Sequence, residues 1–180
     1  SLCLPFLVLL LALPAGAQYD LAGAIDFHAH SDPDSVPRSL DALELAEIAR
    51  QRGLRGLVLK NHWQPTASLA YVVRRGVPGI EVFGGIVLNR AVGGVNPEAV
   101  ERMARTRGGW GRVVWLPTFD AATIPLAREG ELLPEVKQVL ARAAREKLVL
   151  HTGHYPPATA LAVIRAARAA GVRSIVVTHA

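Results

Sequence analysis

The sequence predicts an α/β protein whose parallel strands form a TIM-like (β/α) barrel. Six short apolar runs recur about every thirty residues with helical patterns between them, which is typical of a parallel α/β sheet. The runs are continuously apolar rather than alternating, as in strands that are covered on both faces. All six histidines lie at or just after the C-terminal end of a run, where a parallel barrel gathers its active site. An open sheet would instead spread these strand ends over about 25 Å.

The elements follow one another in a regular order. The first helical pattern begins at the expected N-cap Ser39, places Leu40, Leu43, Ala46 and Ile48 near one stripe, and ends at Gly53, where a left-handed residue is favourable. The later helices carry the same signals, with glycine at the end or proline in the first turn. The predicted strands lie at 24–28, 55–60, 80–89, 112–117, 147–151 and 173–179, and the predicted helices lie at 39–53, 66–76, 96–108, 132–147 and 156–171.

The domain organisation predicted is a signal peptide over 1–17 followed by one barrel domain over 18–180. The first stretch has no charge, is too short and proline-broken for a membrane span, and ends in the small residues of a cleavage site, Ala15 to Ala17. We therefore expect an exported protein, periplasmic or secreted, with no membrane attachment after cleavage. A complete barrel has eight strands, so six strands indicate a barrel truncated after the sixth.

Composition limits the partners and the metal ligands. The net charge of +5 comes from positive residues scattered at helical spacing, without a basic block or interleaved aromatics, so we expect no nucleic-acid partner. The only cysteine, Cys3, lies in the predicted signal. The domain can therefore form no disulfide, and any metal must be held by His, Asp, Glu or Lys. The oligomeric state is left open.

The strongest candidate site is the end of the first strand, in AIDFHAH. Asp26, His28 and His30 are two residues apart, so an extended strand places them on one face, and the two imidazoles can share a metal. Neutral imidazole suits zinc, and also manganese, iron or nickel. Asp26 can orient a ligand histidine or cap a neighbouring turn.

Further candidates end the other strands. His179 follows the sixth strand and is predicted to bind the metal or polarise the substrate. In HTGH, either His151 or His154 is expected to reach the site, and spacing does not choose between them. Three more candidate catalytic residues share this end of the sheet. They are Lys60 and His62, which alternate onto one face, and Asp120, which is an acid or a turn residue in the loop after the fourth strand.

Lys60 has several possible roles at such a site. A lysine pointing into a crowded cationic mouth needs a nearby acid, an anionic substrate or carboxylation to a metal-bridging ligand. The alternative is a side chain that extends to solvent.

These motifs resemble the amidohydrolase superfamily of metal-dependent hydrolases, in a branch of unknown substrate. The resemblance rests on DxHxH in the first strand and on histidines that end the fifth and sixth strands, and it covers nearly all of 20–180. It implies metal ligands at His28 and His30, at one of His151 and His154, and at His179. The implied reaction is attack of metal-activated water on a small-molecule amide, ester or lactone carbonyl.

The resemblance has two departures and two rivals. RVVWLPTFD lacks the superfamily's fourth-strand bridging lysine or glutamate, and the eighth-strand aspartate would lie beyond Ala180. PHP-type phosphoesterases also open with DxHxH and have a histidine after the second strand, where this chain has LKNH; Lys60 and Arg90 would then bind the phosphate. A non-catalytic exported ligand-binding protein is the other alternative.

Overall fold

The computed structural model describes residues 21–179, so the predicted signal peptide lies outside the described residues. None of the helices in this range is long and apolar enough to cross a bilayer. The strands are β1 (Ile25–Ala29), β2 (Gly56–Leu59), β3 (Glu81–Val87), β4 (Gly111–Trp115), β5 (Ala127–Arg128), β6 (Glu131–Leu132), β7 (Val149–His151) and β8 (Ser174–Val176). The α-helices are α1 (Ala42–Gln51), α2 (Ala67–Gly76), α3 (Pro97–Ala104), α4 (Pro134–Arg145) and α5 (Pro157–Ala169).

Six of the strands form one parallel sheet in the order β1-β2-β3-β4-β7-β8. These are the six predicted strands, so the parallel α/β architecture is confirmed. The remaining two, β5 and β6, form an antiparallel hairpin that was not predicted. Glu129 and Gly130 turn this hairpin with φ of 51° and 82°. Strands of two residues are too short to leave a periodic pattern in the sequence.

The six-stranded sheet is strongly curled. If it were flat, five strand spacings would separate β1 from β8 by about 25 Å. Instead, the ring of His28 on β1 lies 5.2 Å, centre to centre, from the ring of His179, three residues after β8. The sheet is therefore a half-barrel whose strand C-termini converge, as the positions of the histidines predicted.

Apolar side chains cover both faces of this sheet. The outer face packs against the helices in two clusters, one centred on β3, β4 and β7 and the other on β2, α1 and α2. The inner face carries a smaller layer in which Trp115 is fully buried. A Cβ at Gly85 would meet the Val113 carbonyl and the Trp115 ring, so glycine makes room for this indole. Below it lies a cavity of about 260 Å³, lined among others by Phe27, Val58 and Val149.

The first helix differs from its prediction at both its start and its buried face. Its N-cap is Asp41, not Ser39, and the Asp41 carboxylate accepts hydrogen bonds from the main-chain N–H groups of Leu43 and Glu44. The glutamate completes a capping box by accepting from the Asp41 N–H. Ala46 of the predicted stripe is buried, together with Ala42 and Ala49, whereas Leu43 is 44% exposed and Ile48 is 39% exposed. Small side chains on this face let the helix lie close against the sheet.

Candidate metal centre

All six histidines of the sequence gather at the C-terminal rim of the sheet. Five of them form a continuous series of neighbouring rings. Centre to centre, His154 lies 5.0 Å from His179, which lies 5.2 Å from His28; His28 lies 5.3 Å from His30, which lies 4.9 Å from His62. The predicted convergence of these side chains is therefore present. Four different strand ends, those of β1, β2, β7 and β8, supply them.

The first strand delivers its histidines through an irregularity. The β1–β2 register shifts between Asp26 and Ala29, as in a β-bulge. The Asp26 carboxylate accepts the main-chain N–H of His28 at 2.8 Å, within this irregular stretch. Asp26 therefore contacts main chain and not an imidazole, which matches the capping role and not the orienting one.

Lys60 lies inside the histidine cluster and does not extend to solvent. It is only 2% exposed, its Nζ lies 3.0 Å from His28 Nε2, and it sits 5.7 Å from the centre of the Trp115 ring. An ammonium has no acceptor, so Lys60 donates and His28 Nε2 accepts. A neutral His28 then carries its proton on Nδ1. A cation can reach this Nε2 lone pair only if Lys60 moves away.

His62 is held by a buried network at the ends of β3 and β4. Its Nδ1 shares a 3.0 Å hydrogen bond with the hydroxyl of Thr118. Asn89 is fully buried and donates to both the His62 carbonyl and the Thr118 hydroxyl, while its own carbonyl accepts the Thr118 N–H. The amide thus fixes the position of His62 from a neighbouring strand.

Two aromatic residues that sequence analysis did not single out lie beside His62. Phe119 is 63% exposed and stacks on Trp63, with ring centres 5.5 Å apart and an interplanar angle of 2°. The Phe119 ring also makes an edge contact with His62 at 4.3 Å. A stacked aromatic pair, the exposed Phe119 and the half-buried Trp63, therefore borders the rim. Their only sequence signal is adjacency to His62 and Thr118.

The HTGH segment brings both of its histidines to the rim, at different depths. His151 is 2% exposed, its ring lies 5.2 Å from that of Trp115, and neither of its ring nitrogens has a hydrogen-bond partner. His154 is exposed and contacts His179, which is also exposed. Gly153, with φ of 71°, lies so close to the Pro117 carbonyl that a Cβ would collide with it.

The cluster is electrostatically tuned towards neutral imidazole. Burial, assisted by the positive charge of Lys60, lowers the pKa of His28 to about 4 and that of His62 to about 3. Burial, together with His28 and Lys60, lowers the pKa of His151 to about 4. The pKa of Lys60 itself falls to about 8 through burial and the nearby Arg38 guanidinium. At pH 7 these imidazoles are neutral, which is the form that binds metals.

A buried ion pair next to the rim was also missed. The Asp34 side chain is fully buried and accepts from Arg38 Nε at 2.8 Å and Nη2 at 2.6 Å. The Asp34 charge favours the protonated forms of His30 and His62, so this acid lies near both rings. The four-residue spacing within DSVPR is the available signal, but it is too common to identify a site.

Asp120, a predicted catalytic residue, is not brought into the cluster. Its Oδ2 accepts the main-chain N–H of Arg90 at 2.8 Å, and the Arg90 guanidinium donates to the Thr123 carbonyl at 3.1 Å. Both side chains thus hold the loops after β3 and β4 together. The turn role left open by the sequence is the one that the structure shows.

A family model matches residues 23–180 and describes a family of unknown function, DUF6282. The chain belongs to the DUF6282 family. Comparison with curated proteins finds no match. Membership therefore covers the whole half-barrel and every histidine of the rim, but it supplies no reaction.

The donor set of this DUF6282 chain consists of neutral imidazoles, the ligand type that zinc and similar divalent cations bind. Two imidazoles bound to one tetrahedral zinc at about 2.0–2.1 Å have ring centres about 5 Å apart, which matches the spacing at the rim. His30 Nδ1 and both nitrogens of His151 are buried without partners. Within residues 21–179, no group of three or more His, Cys, Asp or Glu side chains is already arranged as a ligand set. The imidazole rings would have to rotate, and Lys60 would have to move away from His28, before these side chains could form such a ligand set.

Proposed function

We propose that this chain is a metal-dependent hydrolase that acts on an amide, ester or lactone of a small molecule. The divalent cation, zinc or alternatively manganese, iron or nickel, would be held by His28, His30, His151 and His179. The observation that carries the proposal is the buried His151, whose two ring nitrogens lack partners beside a cluster of neutral histidines. Leaving such groups unpaired is costly unless a ligand uses them.

The chemistry divides between the cation and the side chains around it. A bound cation supplies Lewis acidity and lowers the pKa of water. His62 is rigidly held by Thr118 and lies 4.9 Å from His30, so it can accept a hydrogen bond from a water at the rim and orient it, whereas its pKa of about 3 makes it a weak base. Lys60 can donate a hydrogen bond to a carbonyl oxygen as negative charge develops there.

We also propose that the half-barrel belongs to a TIM-like (β/α) barrel. The sequential parallel strand order supports this, as does the curl that brings the ends of β1 and β8 together. Active sites of such barrels form at the strand C-termini, where all the histidines of this chain lie.

Metal content tests the proposal directly. The purified protein, stripped with chelator and reloaded separately with Zn²⁺, Mn²⁺, Fe²⁺ or Ni²⁺, is expected to retain a stoichiometric amount of at least one metal after gel filtration. The double variant His28→Ala/His30→Ala should lose it, because two ligands of the centre are removed. Elemental analysis by mass spectrometry gives the stoichiometry.

A matched pair of variants separates the two histidines of HTGH. His151→Ala should lower metal affinity at least 100-fold, while His154→Ala, on the exposed side of the rim, should keep stoichiometric binding. Wild-type protein without stoichiometric metal, or the double variant with metal retained, would refute the proposal. Hydrolysis of amide, ester and lactone panels by the loaded protein then identifies the bond.

A PHP-type phosphoesterase is the second candidate. The observations that favour it are His62, from the end of β2, stacked at 4.9 Å on His30, and the buried ammonium of Lys60 beside them. Arg90, the other predicted phosphate ligand, is bound to the Thr123 carbonyl. Phosphomonoesters and phosphodiesters included in the same panel distinguish the two reactions.

A further inference from the structure

The inner face of the sheet carries adjacent buried donor groups that no acceptor in residues 21–179 fully satisfies. Lys60, Trp115 and His151 are each at most 2% exposed. Lys60 Nζ lies 5.7 Å from the centre of the Trp115 ring, and the His151 ring lies 5.2 Å from it. The indole Nε1 and both His151 nitrogens have no partner. The indole, and one nitrogen of a neutral imidazole, are N–H donors.

The charge of Lys60 likewise lacks an anionic partner within residues 21–179. It forms no salt bridge there, and its side-chain neighbours are the uncharged His28 ring, which accepts a hydrogen bond, and the uncharged Trp115 ring, over which the ammonium lies. The acids that act on the clustered imidazoles are engaged elsewhere, Asp34 by Arg38 and Asp26 by the main-chain N–H of His28. A buried charge normally has a partner of opposite sign, because its desolvation is otherwise uncompensated.

A metal ion does not resolve this arrangement. A cation accepts lone pairs, so it can use His151 but offers nothing to the ammonium of Lys60 or to the indole N–H of Trp115. It also adds positive charge to a site that already holds one. What these donors lack is an acceptor that carries negative charge.

We propose that Lys60, Trp115 and His151 form a binding site for an oxyanion, the carboxylate or phosphoryl group of the substrate. Lys60 would supply the charge and up to two further N–H donors, and the buried rings would supply neutral ones. This narrows the substrate class of the proposed hydrolase to anionic small molecules, and only that last step rests on the proposed function.

The binding site is tested on chelator-treated protein, so that the result is independent of metal. Acetate and inorganic phosphate, titrated separately in isothermal calorimetry, are the probes. At least one is expected to bind saturably with one site per chain and to shift the indole N–H resonance of Trp115, assigned with Trp115→Phe. The stronger probe indicates which oxyanion the substrate carries.

Matched lysine variants locate the charge. Lys60→Met should weaken binding about 10- to 100-fold, as expected for loss of a hydrogen bond to a charged group. Lys137→Met, which removes an exposed lysine paired with Glu131, should leave it unchanged. Circular dichroism checks that Lys60→Met is folded, and Lys60→Arg, which keeps the charge, should retain part of the affinity.

Three results would overturn the inference. The first is the absence of saturable anion binding to the wild-type protein, and the second is an equal loss of affinity in Lys60→Met and Lys137→Met. The third is an NMR signal from a carbamate carbon on Lys60 when ¹³C-bicarbonate is added, because a carboxylated lysine would itself carry the negative charge. Metal content is measured separately. Anion binding without metal binding would support the oxyanion site and refute the proposed metal-dependent hydrolase. Metal binding without anion binding would support the metal centre and refute the oxyanion site.

Discussion

Lys60 occupies the least favourable environment of any charged residue at the rim. It is buried, has no acid partner in the part of the chain that the structure describes, and contacts a neutral imidazole. Functional sites often keep such groups at the expense of stability, because the ligand compensates them when it binds.

Replacing this lysine should therefore stabilise the ligand-free protein. Methionine has a similar length and no charge, so Lys60→Met is expected to raise the free energy of unfolding by about 1–3 kcal/mol, as when buried ionic groups are replaced by apolar ones. Urea denaturation of chelator-treated protein at pH 7 measures it. Lys137→Met should change stability by less than about 0.5 kcal/mol. A clear destabilisation by Lys60→Met would contradict this account.

The sequence predicted which side chains reach the rim but not what each one touches there. Strand ends of a parallel sheet lie at one edge, so the histidines could be placed from the apolar runs alone. The depth of His151 relative to His154 could not, because Thr152 and Gly153 leave the chain direction open. Asp120 and Lys60 were likewise ambiguous, since an acid or a lysine after a strand can pair with main chain, solvent or ligand with equal ease.

At the level of elements, one buried amide joins three strand ends. Asn89, after β3, holds the His62 carbonyl after β2 and both the N–H and hydroxyl of Thr118 after β4. The positions of the loops that carry His62 and Phe119 therefore depend on a residue that forms no hydrogen bond with any of the four proposed metal ligands. Their position is a property of the sheet edge and not of either loop alone.

Removing this amide should be costly. Asn89→Ala leaves the Thr118 N–H and the His62 carbonyl buried without partners, so a loss of about 2–4 kcal/mol in unfolding free energy is expected. Asn96→Ala is the matched control, because it removes an asparagine that caps α3 through two main-chain N–H groups nearer the surface. That change should cost about 1 kcal/mol. If urea denaturation gave equal losses of unfolding free energy for Asn89→Ala and Asn96→Ala, the buried Asn89 network would contribute no more to stability than an ordinary helix cap.

Element boundaries show where sequence patterns are weakest. The six strands of the parallel sheet could be predicted because each is a continuous apolar run that is covered on both faces. The irregularity in β1 and the β5–β6 hairpin could not be, since one register shift or a two-residue strand changes no periodicity. The N-cap of α1 is Asp41 and not the predicted Ser39, because the Asp41–Glu44 capping box satisfies more main-chain groups than a serine two residues earlier would.

For the whole molecule, the curl of the sheet has an electrostatic consequence. It collects imidazoles from four strand ends around one ammonium, and Lys60 lowers the pKa of each of the five shifted histidines. An open sheet of the same sequence would keep most of these rings apart. The dependence of stability on pH is therefore a test of the curled architecture as well as of the site.

The sign of that dependence follows from proton binding. Below the ordinary histidine pKa of 6.5 the unfolded chain takes up protons, while the folded chain resists them until about pH 4 at His28 and His151. Because the unfolded state binds more protons in this window, the contribution of these histidines to the stability of the metal-free protein should be complete above pH 6.5 and fall as the pH drops towards 4. A shift of this size at the buried His151 corresponds to roughly 3 kcal/mol.

Two leucine variants assign this slope to the buried ring. His151→Leu removes a titrating group that makes no ring hydrogen bond, so it should keep near wild-type stability at pH 7 and flatten the decline between pH 6.5 and 5. His154→Leu, on the exposed side of the rim, should leave more of the decline in place. Urea denaturation at half-unit pH intervals, with chelator present, measures both. A His151→Leu curve parallel to wild type would mean that the imidazole is solvated in solution, and a solvated ring would remove the main support for both a cation and an anion at this rim.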